Sequence, residues 1–137
     1  VILYGTEDVA QQVRALTDGK GAEVCFDGVG QATWNASLDS TARRGMIASY
    51  GNASGAVNGI NLGILAAKGS LFLTRPTLFD YYKLADERAA GAQRVFALLR
   101  QGTLKMTVGK RYPHEEAAQA HRDLEARQTT GSTVLLP

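Results

Sequence analysis

The chain has 137 residues, 45% of them apolar, which is enough for one compact domain but short for a two-domain enzyme. Fifteen basic and 13 acidic residues give a net charge of +2, and their scatter along the chain argues against a nucleic-acid or membrane-surface protein. The single cysteine, Cys25, excludes an internal disulfide, and no Cys/His cluster offers the ligands of a zinc site, so a reduced, cytoplasmic protein is expected.

Apolar patterning predicts strands and helices in alternation over the first hundred residues. A buried strand is predicted at Val1–Tyr4, followed by a helix that Thr6 caps and that ends at the turn 18–21. Further strands are predicted at 22–27, 45–50 and 70–74, and further helices at 32–38, 62–68 and 81–101. Strands separated by helical stretches indicate βαβ units, hence a parallel, doubly wound sheet whose strands are covered on both faces.

The pattern changes after Gly102. A strand is predicted at 106–112, an amphipathic helix up to about Arg127 and a last strand at 132–136. This segment fits either an edge addition to the sheet or part of a neighbouring domain. Because the chain starts without Met inside an apolar run, an N-terminal truncation is also expected.

Ligands of an open parallel sheet bind beyond the carboxyl ends of its strands. Four segments follow predicted strands: 4–5, 27–30, 50–55 and 73–76. The run from Gly28 to Thr33 looks like the start of a dinucleotide fingerprint, but Thr33 replaces the third glycine and the later acidic residue is missing. We therefore reject it as the phosphate-binding loop. A tight strand-to-helix turn is favoured, with close backbone approach of a ligand as the alternative.

Other polar residues leave two interpretations open. The loop 51–59, with Asn52 among its polar residues, fits a ligand-binding loop or an unspecialised surface loop equally well. Arg75 could pair with a phosphate or a substrate carbonyl, although an ordinary surface ion pair is favoured.

His121 lies on an apolar stripe and is expected to be packed, and Cys25 is expected to be an inert core thiol.

Three long motifs carry a family resemblance: YGNASGAV at 50–57, NLGIL at 61–65 and KGSLFLTRP at 68–76. They closely resemble the bacterial NADPH:quinone oxidoreductases, the zeta-crystallin-like, zinc-independent branch of the medium-chain dehydrogenase/reductase superfamily. The resemblance spans essentially the whole chain. It implies an α/β fold with a partial Rossmann-like NADPH-binding domain over 1–102, lacking its first strands and glycine-rich turn. Residues 103–137 would return to a GroES-like catalytic domain.

The resemblance also implies a set of cofactor contacts at the ends of these strands. Tyr4 would lie near the adenosine ribose and its 2′-phosphate, 50–53 beside the ribose and nicotinamide, and the backbone of 73–75 at the carboxamide. Relatives often carry Ser at the position of Gly28, so a hydroxyl contact near the adenosine is expected to be lost. No residue is assigned a catalytic acid–base role or a metal. The expected NADPH-binding residues are Tyr4, Gly28, Tyr50, Gly51, Asn52, Ala53, Leu73, Thr74, Arg75 and Arg127.

The implied function is hydride transfer from NADPH to a quinone or a related electron-poor carbonyl, with these residues alone expected to be inactive. Alternatives are a zinc-independent enoyl or alcohol reductase of the same superfamily, or a non-catalytic structural or dimerisation module. The resemblance further implies a homodimer through the strand at 70–74, whose Leu71, Phe72 and Leu73 would form an exposed edge unless they are covered. No nucleic-acid or membrane partner is expected.

Overall fold

Three of the predicted strands, found at Ala22–Asp27, Thr41–Ser49 and Phe72–Thr74, pair into a parallel sheet in that order. The computed structural model describes residues 1–137, which pack into two units, Val1–Tyr81 and Tyr82–Pro137. The mixed α/β class with parallel strands is confirmed, whereas the domain boundary expected near residue 102 stays a prediction. The first unit contains α1 (Val9–Leu16), β1 (Ala22–Asp27), α2 (Trp34–Ser40), β2 (Thr41–Ser49), α3 (Gly63–Ala67), β3 (Phe72–Thr74) and α4 (Leu78–Tyr81).

The core of the first unit lies between this sheet and its helices. Leu38 of α2, Ile47 of β2 and Leu71, which directly precedes β3, are buried together. Cys25 and Trp34 pack against them as partly buried side chains, so the core location predicted for the thiol is confirmed. The central strand is thus the best covered, as expected for a strand with neighbours on both sides.

Arg14 of α1 joins two backbone segments through its guanidinium. It donates to the carbonyls of Asp39 at 2.9 Å and Thr41 at 3.0 Å, which lie at the end of α2 and the start of β2. It also donates to the carbonyls of Gly19 and Lys20 in the turn before β1. A planar fork of donors is well suited to binding several carbonyls at once.

Two predictions about the start of the chain are wrong. Val1–Tyr4 is not a strand, because the Leu3 carbonyl instead accepts the N–H groups of Thr6 and Glu7 in a turn. Leu3 and Tyr4 are exposed. Asp8 rather than Thr6 caps α1, its carboxylate accepting the N–H of Gln11 at 3.0 Å.

The predicted burial of β1 is also wrong, because Val24 and Phe26 are exposed. At the opposite edge of the sheet the core covers Leu71, and Phe72 alone of the three apolar residues is well exposed, at 60%. A local apolar run therefore does not by itself predict burial, which depends on whether a second layer covers that face of the sheet.

The second unit contains α5 (Ala85–Arg100), β4 (Val108–Pro113), a 3₁₀ turn (His114–Glu116), α6 (Ala117–Glu125) and β5 (Ser132–Leu136). The helix predicted from residue 81 begins later because Leu84 is extended, and the Glu87 carboxylate accepts its N–H at 2.9 Å. Strands β4 and β5 pair in parallel, with Tyr112 buried. His121 is exposed, against expectation, because the apolar stripe of α6 buries Ala120 instead.

Candidate functional site

The three parallel strands of the first unit end at one edge of the sheet. Register pairs Asp27 with Ser49 and Ala48 with Thr74, so the segments that follow β1, β2 and β3 emerge side by side. The structure thereby brings together most of the residues expected to bind a cofactor: Gly28, Tyr50, Gly51, Asn52, Ala53, Leu73, Thr74 and Arg75. This is the edge at which ligands of open α/β sheets bind.

Asp27 is the buried polar centre of this edge, with only 4% of its surface exposed. One carboxylate oxygen accepts the backbone N–H groups of Val29 and Gly30, each at 2.9 Å. The Thr33 hydroxyl reaches both carboxylate oxygens at 2.9 Å, and the Ser37 hydroxyl donates to Oδ2 at 2.7 Å. The carboxylate therefore fixes the turn between β1 and α2.

The same contacts set the charge state of Asp27. Burial alone raises the pKa of this carboxyl, but the hydrogen bonds from Ser37, Gly30, Val29 and Thr33 together outweigh it and hold the pKa below the usual 3.8. An ionised carboxylate thus occupies the N–H groups that a phosphate-binding turn would offer to its ligand. This arrangement agrees with the rejection of the run 28–33 as the phosphate loop.

Glycines allow the segments after β1 and β2 to touch. A Cβ on Gly51 would lie 2.1 Å from the Gly28 carbonyl oxygen, and a Cβ on Gly30 would lie 2.5 Å from that of Gly55. The loop is further held because the Ser54 N–H donates to the Val29 carbonyl at 2.8 Å. The first part of the loop, residues 51–55, is therefore fixed against the turn that follows β1.

Two clefts open at the ends of β2 and β3. One of about 240 Å³ is lined by Ser49, Asn52 and Leu73 among others, and one of about 680 Å³ by Tyr50, Leu78 and Tyr81. Arg75 lines both clefts. Neither ion pair in the chain involves Arg75, so the surface ion pair favoured for this residue is not formed. An unpaired guanidinium at this edge can bind a carbonyl oxygen or an anion.

Two of the expected site residues, Tyr4 and Arg127, do not belong to that set. Tyr4 and Gly28 line a third groove, of about 250 Å³, on the α1 and α2 side of β1. Ala53 and Thr74 are exposed. Arg127 belongs to the second unit, follows α6 and has a left-handed backbone with φ of 57°.

The importance of Asp27 was not predicted from the sequence. Asp27 was identified only as the end of a strand, although its carboxylate organises the whole turn between β1 and α2. The sequence signal for this role was the spacing of Thr33 and Ser37, which lie four residues apart at the start of a predicted helix. That spacing places both hydroxyls on one face of the helix, towards the end of the preceding strand.

No group of three or more His, Cys, Asp or Glu side chains is placed to hold a metal ion. No helix combines the length and apolar character that crossing a membrane requires.

The parallel sheet, its crossover helices and its glycine-rich carboxyl edge define a Rossmann-like domain of the dehydrogenase type. Residues 1–135 match the family described as zinc-binding dehydrogenase, and the chain belongs to that family.

Individual relatives agree with this assignment. The chain is 51% identical over 134 residues to a quinone oxidoreductase of Pseudomonas aeruginosa, covering 98% of this chain and 41% of the relative. It is 44% identical over 137 residues to a 2-haloacrylate reductase of Burkholderia, covering 99% and 41%. A solved Escherichia coli quinone oxidoreductase complexed with NADPH superimposes with a TM-score of 0.93 at 44% identity, covering 100% and 43%.

These identities confirm the resemblance to the quinone oxidoreductases. The chain spans about two fifths of the length of the relatives it matches.

Proposed function

We propose that this chain forms the cofactor-binding part of an NADPH-dependent reductase that transfers hydride to a quinone or a related electron-poor carbonyl. The observation that carries the proposal is the carboxyl edge of the sheet, where Gly28 and Gly51 are in contact and the unpaired Arg75 lines two clefts. The names of the relatives at 51% and 44% identity support the same activity. The whole activity is proposed for the full-length gene product.

The edge has the chemistry that a dinucleotide requires. Gly28 and Gly51 let the segments after β1 and β2 pack closely at this edge, because a Cβ on Gly28 would overlap the Tyr50 ring and a Cβ on Gly51 would overlap the Gly28 backbone. Arg75 supplies a positive charge in the cleft, and Asn52 supplies an amide that both donates and accepts. NADPH, when bound, supplies the hydride.

The protein's role is to bind and orient. Backbone groups at 73–75 would hold the carboxamide and so present one face of the nicotinamide ring, while Tyr50 and Ala53 would flank the adjoining ribose. Tyr4 and Arg127 are proposed to contact the adenosine end and a phosphate. No acid–base residue is assigned, because orientation and enclosure of a reactive cofactor supply most of the catalysis in such enzymes.

The decisive experiment is steady-state NADPH oxidation by the full-length gene product against a panel of quinones. Arg75→Met is expected to raise the KM for NADPH about tenfold, because it removes a charge-assisted hydrogen bond. Arg43→Met is the matched control, since Arg43 is an exposed arginine at the opposite end of the sheet. Turnover with no quinone, or an equal effect of the two variants, would contradict the proposal.

A second candidate rests on the relative at 44% identity named as a 2-haloacrylate reductase. The same bound hydride donor can reduce an electron-poor carbon–carbon double bond, so an enone or 2-haloacrylate panel belongs in the same assay. A kcat/KM at least tenfold higher for those substrates than for every quinone would favour this candidate. Absence of turnover with both panels, in a folded protein, would favour a structural module.

A further inference from the structure

Asn58 and Gly59 form the one Asn-Gly pair of the chain, near the end of the loop that follows β2. Each of the other three asparagines precedes a residue with a side chain, either Ala or Leu. Glycine has no Cβ to hinder its own backbone nitrogen, so an asparagine side chain can fold onto the nitrogen that follows it. The pair therefore brings an amide carbon and a potential nucleophile next to each other in the chain.

The backbone nitrogen of Gly59 is free to act as that nucleophile. Its N–H donates no hydrogen bond to the backbone or to a side chain, whereas most backbone groups of folded proteins are engaged in this way. Gly59 is exposed, and no atom beyond its chain neighbours lies within 4 Å of the position that a Cβ would occupy. The nitrogen can therefore approach a neighbouring carbonyl carbon without breaking a contact.

The side chain of Asn58 is equally open. It is exposed, and its only hydrogen bond runs from Nδ2 to the Ala56 carbonyl at 3.3 Å, two residues back in the loop. Asn61 differs, because its Oδ1 accepts the Gly63 N–H at 2.8 Å and is thereby fixed at the start of α3. Of the two asparagines at this end of the loop, Asn58 is therefore the one whose amide carbon is free to react.

The pair lies in the wall of the cleft of about 240 Å³ at the carboxyl edge of the sheet. Val57 and Ile60, on either side of the pair, both line this cleft, as does Arg75. A change in the backbone at 58–59 therefore moves two lining residues. A negative charge gained there also lowers the positive potential that Arg75 creates in the cleft.

We propose that Asn58 is a site of spontaneous deamidation. The Gly59 nitrogen attacks Cγ of Asn58 and gives up its proton, the Cγ–Nδ2 bond breaks, and the amide nitrogen leaves as ammonia while a cyclic succinimide closes. Water then adds to either carbonyl of that ring, giving aspartate at position 58 or isoaspartate, in which the main chain runs through the side-chain carbon. The sum is asparagine and water converted to a carboxylic acid and ammonia, with no oxidant or reductant.

The consequence of this modification for the cleft rests on the proposed function. Either product replaces a neutral amide with a carboxylate, which is ionised at neutral pH. Isoaspartate also inserts an extra methylene into the main chain between Val57 and Ile60. Because a dinucleotide carries phosphates, an added negative charge beside the cleft opposes its binding. Deamidation of Asn58 thus weakens the cofactor affinity of the protein as it ages.

The test follows the full-length gene product by intact mass and peptide mapping during incubation in buffer. Position 58 is expected to gain about 1 Da, as a mixture of aspartate and isoaspartate, at least about tenfold faster than Asn35 and Asn52. Those two asparagines are also exposed but precede alanine, so they are controls within the same spectrum. Asn58→Gln keeps an amide on a longer side chain, which closes the ring far more slowly, and is expected to abolish the mass gain at this position.

Calorimetry with NADPH measures the consequence separately. Asn58→Asp reproduces the charge of the product and is expected to bind NADPH about two- to fivefold more weakly than the neutral Asn58→Gln. Thermal unfolding of both variants shows that they fold.

Deamidation at position 58 no faster than at Asn35 and Asn52 overturns the modification site. Equal NADPH affinities of Asn58→Asp and Asn58→Gln overturn its effect on the cleft. The unsubstituted protein separates the two proposals: if it binds no NADPH, the proposed function is overturned, while the mass measurement still decides whether Asn58 deamidates.

Discussion

A single buried carboxylate, that of Asp27, organises the turn on which the candidate site rests. Replacing it with alanine leaves the N–H groups of Val29 and Gly30 and the hydroxyl of Ser37 without a partner. Buried donors without partners each cost about 1–3 kcal/mol, so Asp27→Ala is expected to lower the free energy of unfolding by at least about 3 kcal/mol.

Asp27→Asn is the conservative comparison for this prediction. Its amide oxygen can still accept from Val29 and Gly30, and the hydroxyls of Thr33 and Ser37 can rotate to accept from its NH₂ group. Urea unfolding is expected to show that Asp27→Asn lowers the free energy of unfolding by less than half as much as Asp27→Ala does. Equal losses for the two variants would mean that charge, rather than hydrogen bonding, stabilises the turn.

At the scale of elements, Asp123 joins β4 to α6 in the second unit. Its carboxylate accepts from the Tyr112 hydroxyl at 2.5 Å, from Lys110 at 2.9 Å and from Gln119 at 2.6 Å. These three hydrogen bonds, with that of Tyr112 the most important, lower the pKa of Asp123 from 3.8 to about 2. The charged carboxylate is thus the form that holds the strand and helix together.

This shift predicts a pH dependence of stability. Because the pKa of Asp123 is lower in the folded than in the unfolded protein, its contribution is complete above about pH 4 and disappears as the pH falls towards about 2. Asp123→Asn is expected to reduce the slope of the urea midpoint against pH across that window, leaving the part that the lowered pKa of Asp27 contributes. Glu125→Gln, on the same helix, is expected to retain the full slope. A slope unchanged in Asp123→Asn would place the acid sensitivity elsewhere.

The elements also show what a sequence can predict. Strands β1 and β5 match their predicted bounds, because apolar runs between glycines are local signals. Burial was overestimated at Phe26 and for the segment Val1–Tyr4, because local pattern does not reveal which faces other elements cover. The Tyr50–Gly28 contact was not predictable either, since it follows from the register that pairs Asp27 with Ser49 across the sheet.

At the scale of the whole molecule, the edge strands of the sheet are the candidate surfaces for pairing with a second copy of the chain. Phe72 on β3 and Phe26 on β1 are exposed by 60% and 74%, and each strand has one unpaired edge. An exposed strand edge is a template for pairing, and a two-fold axis through β3 would join two sheets into one. We propose a homodimer through residues 70–74.

A pair of phenylalanine variants gives a matched test of that assembly. Phe72→Lys is expected to convert the full-length gene product from dimer to monomer, because a charge on an edge strand opposes pairing. Phe79→Lys makes the same chemical change at an exposed residue of α4, outside the paired strand, and is expected to leave the dimer intact. Light scattering after size-exclusion chromatography, at concentrations well above micromolar, measures both. A monomeric unsubstituted protein contradicts the proposal outright, and dissociation by Phe79→Lys but not by Phe72→Lys would place the dimer interface away from β3.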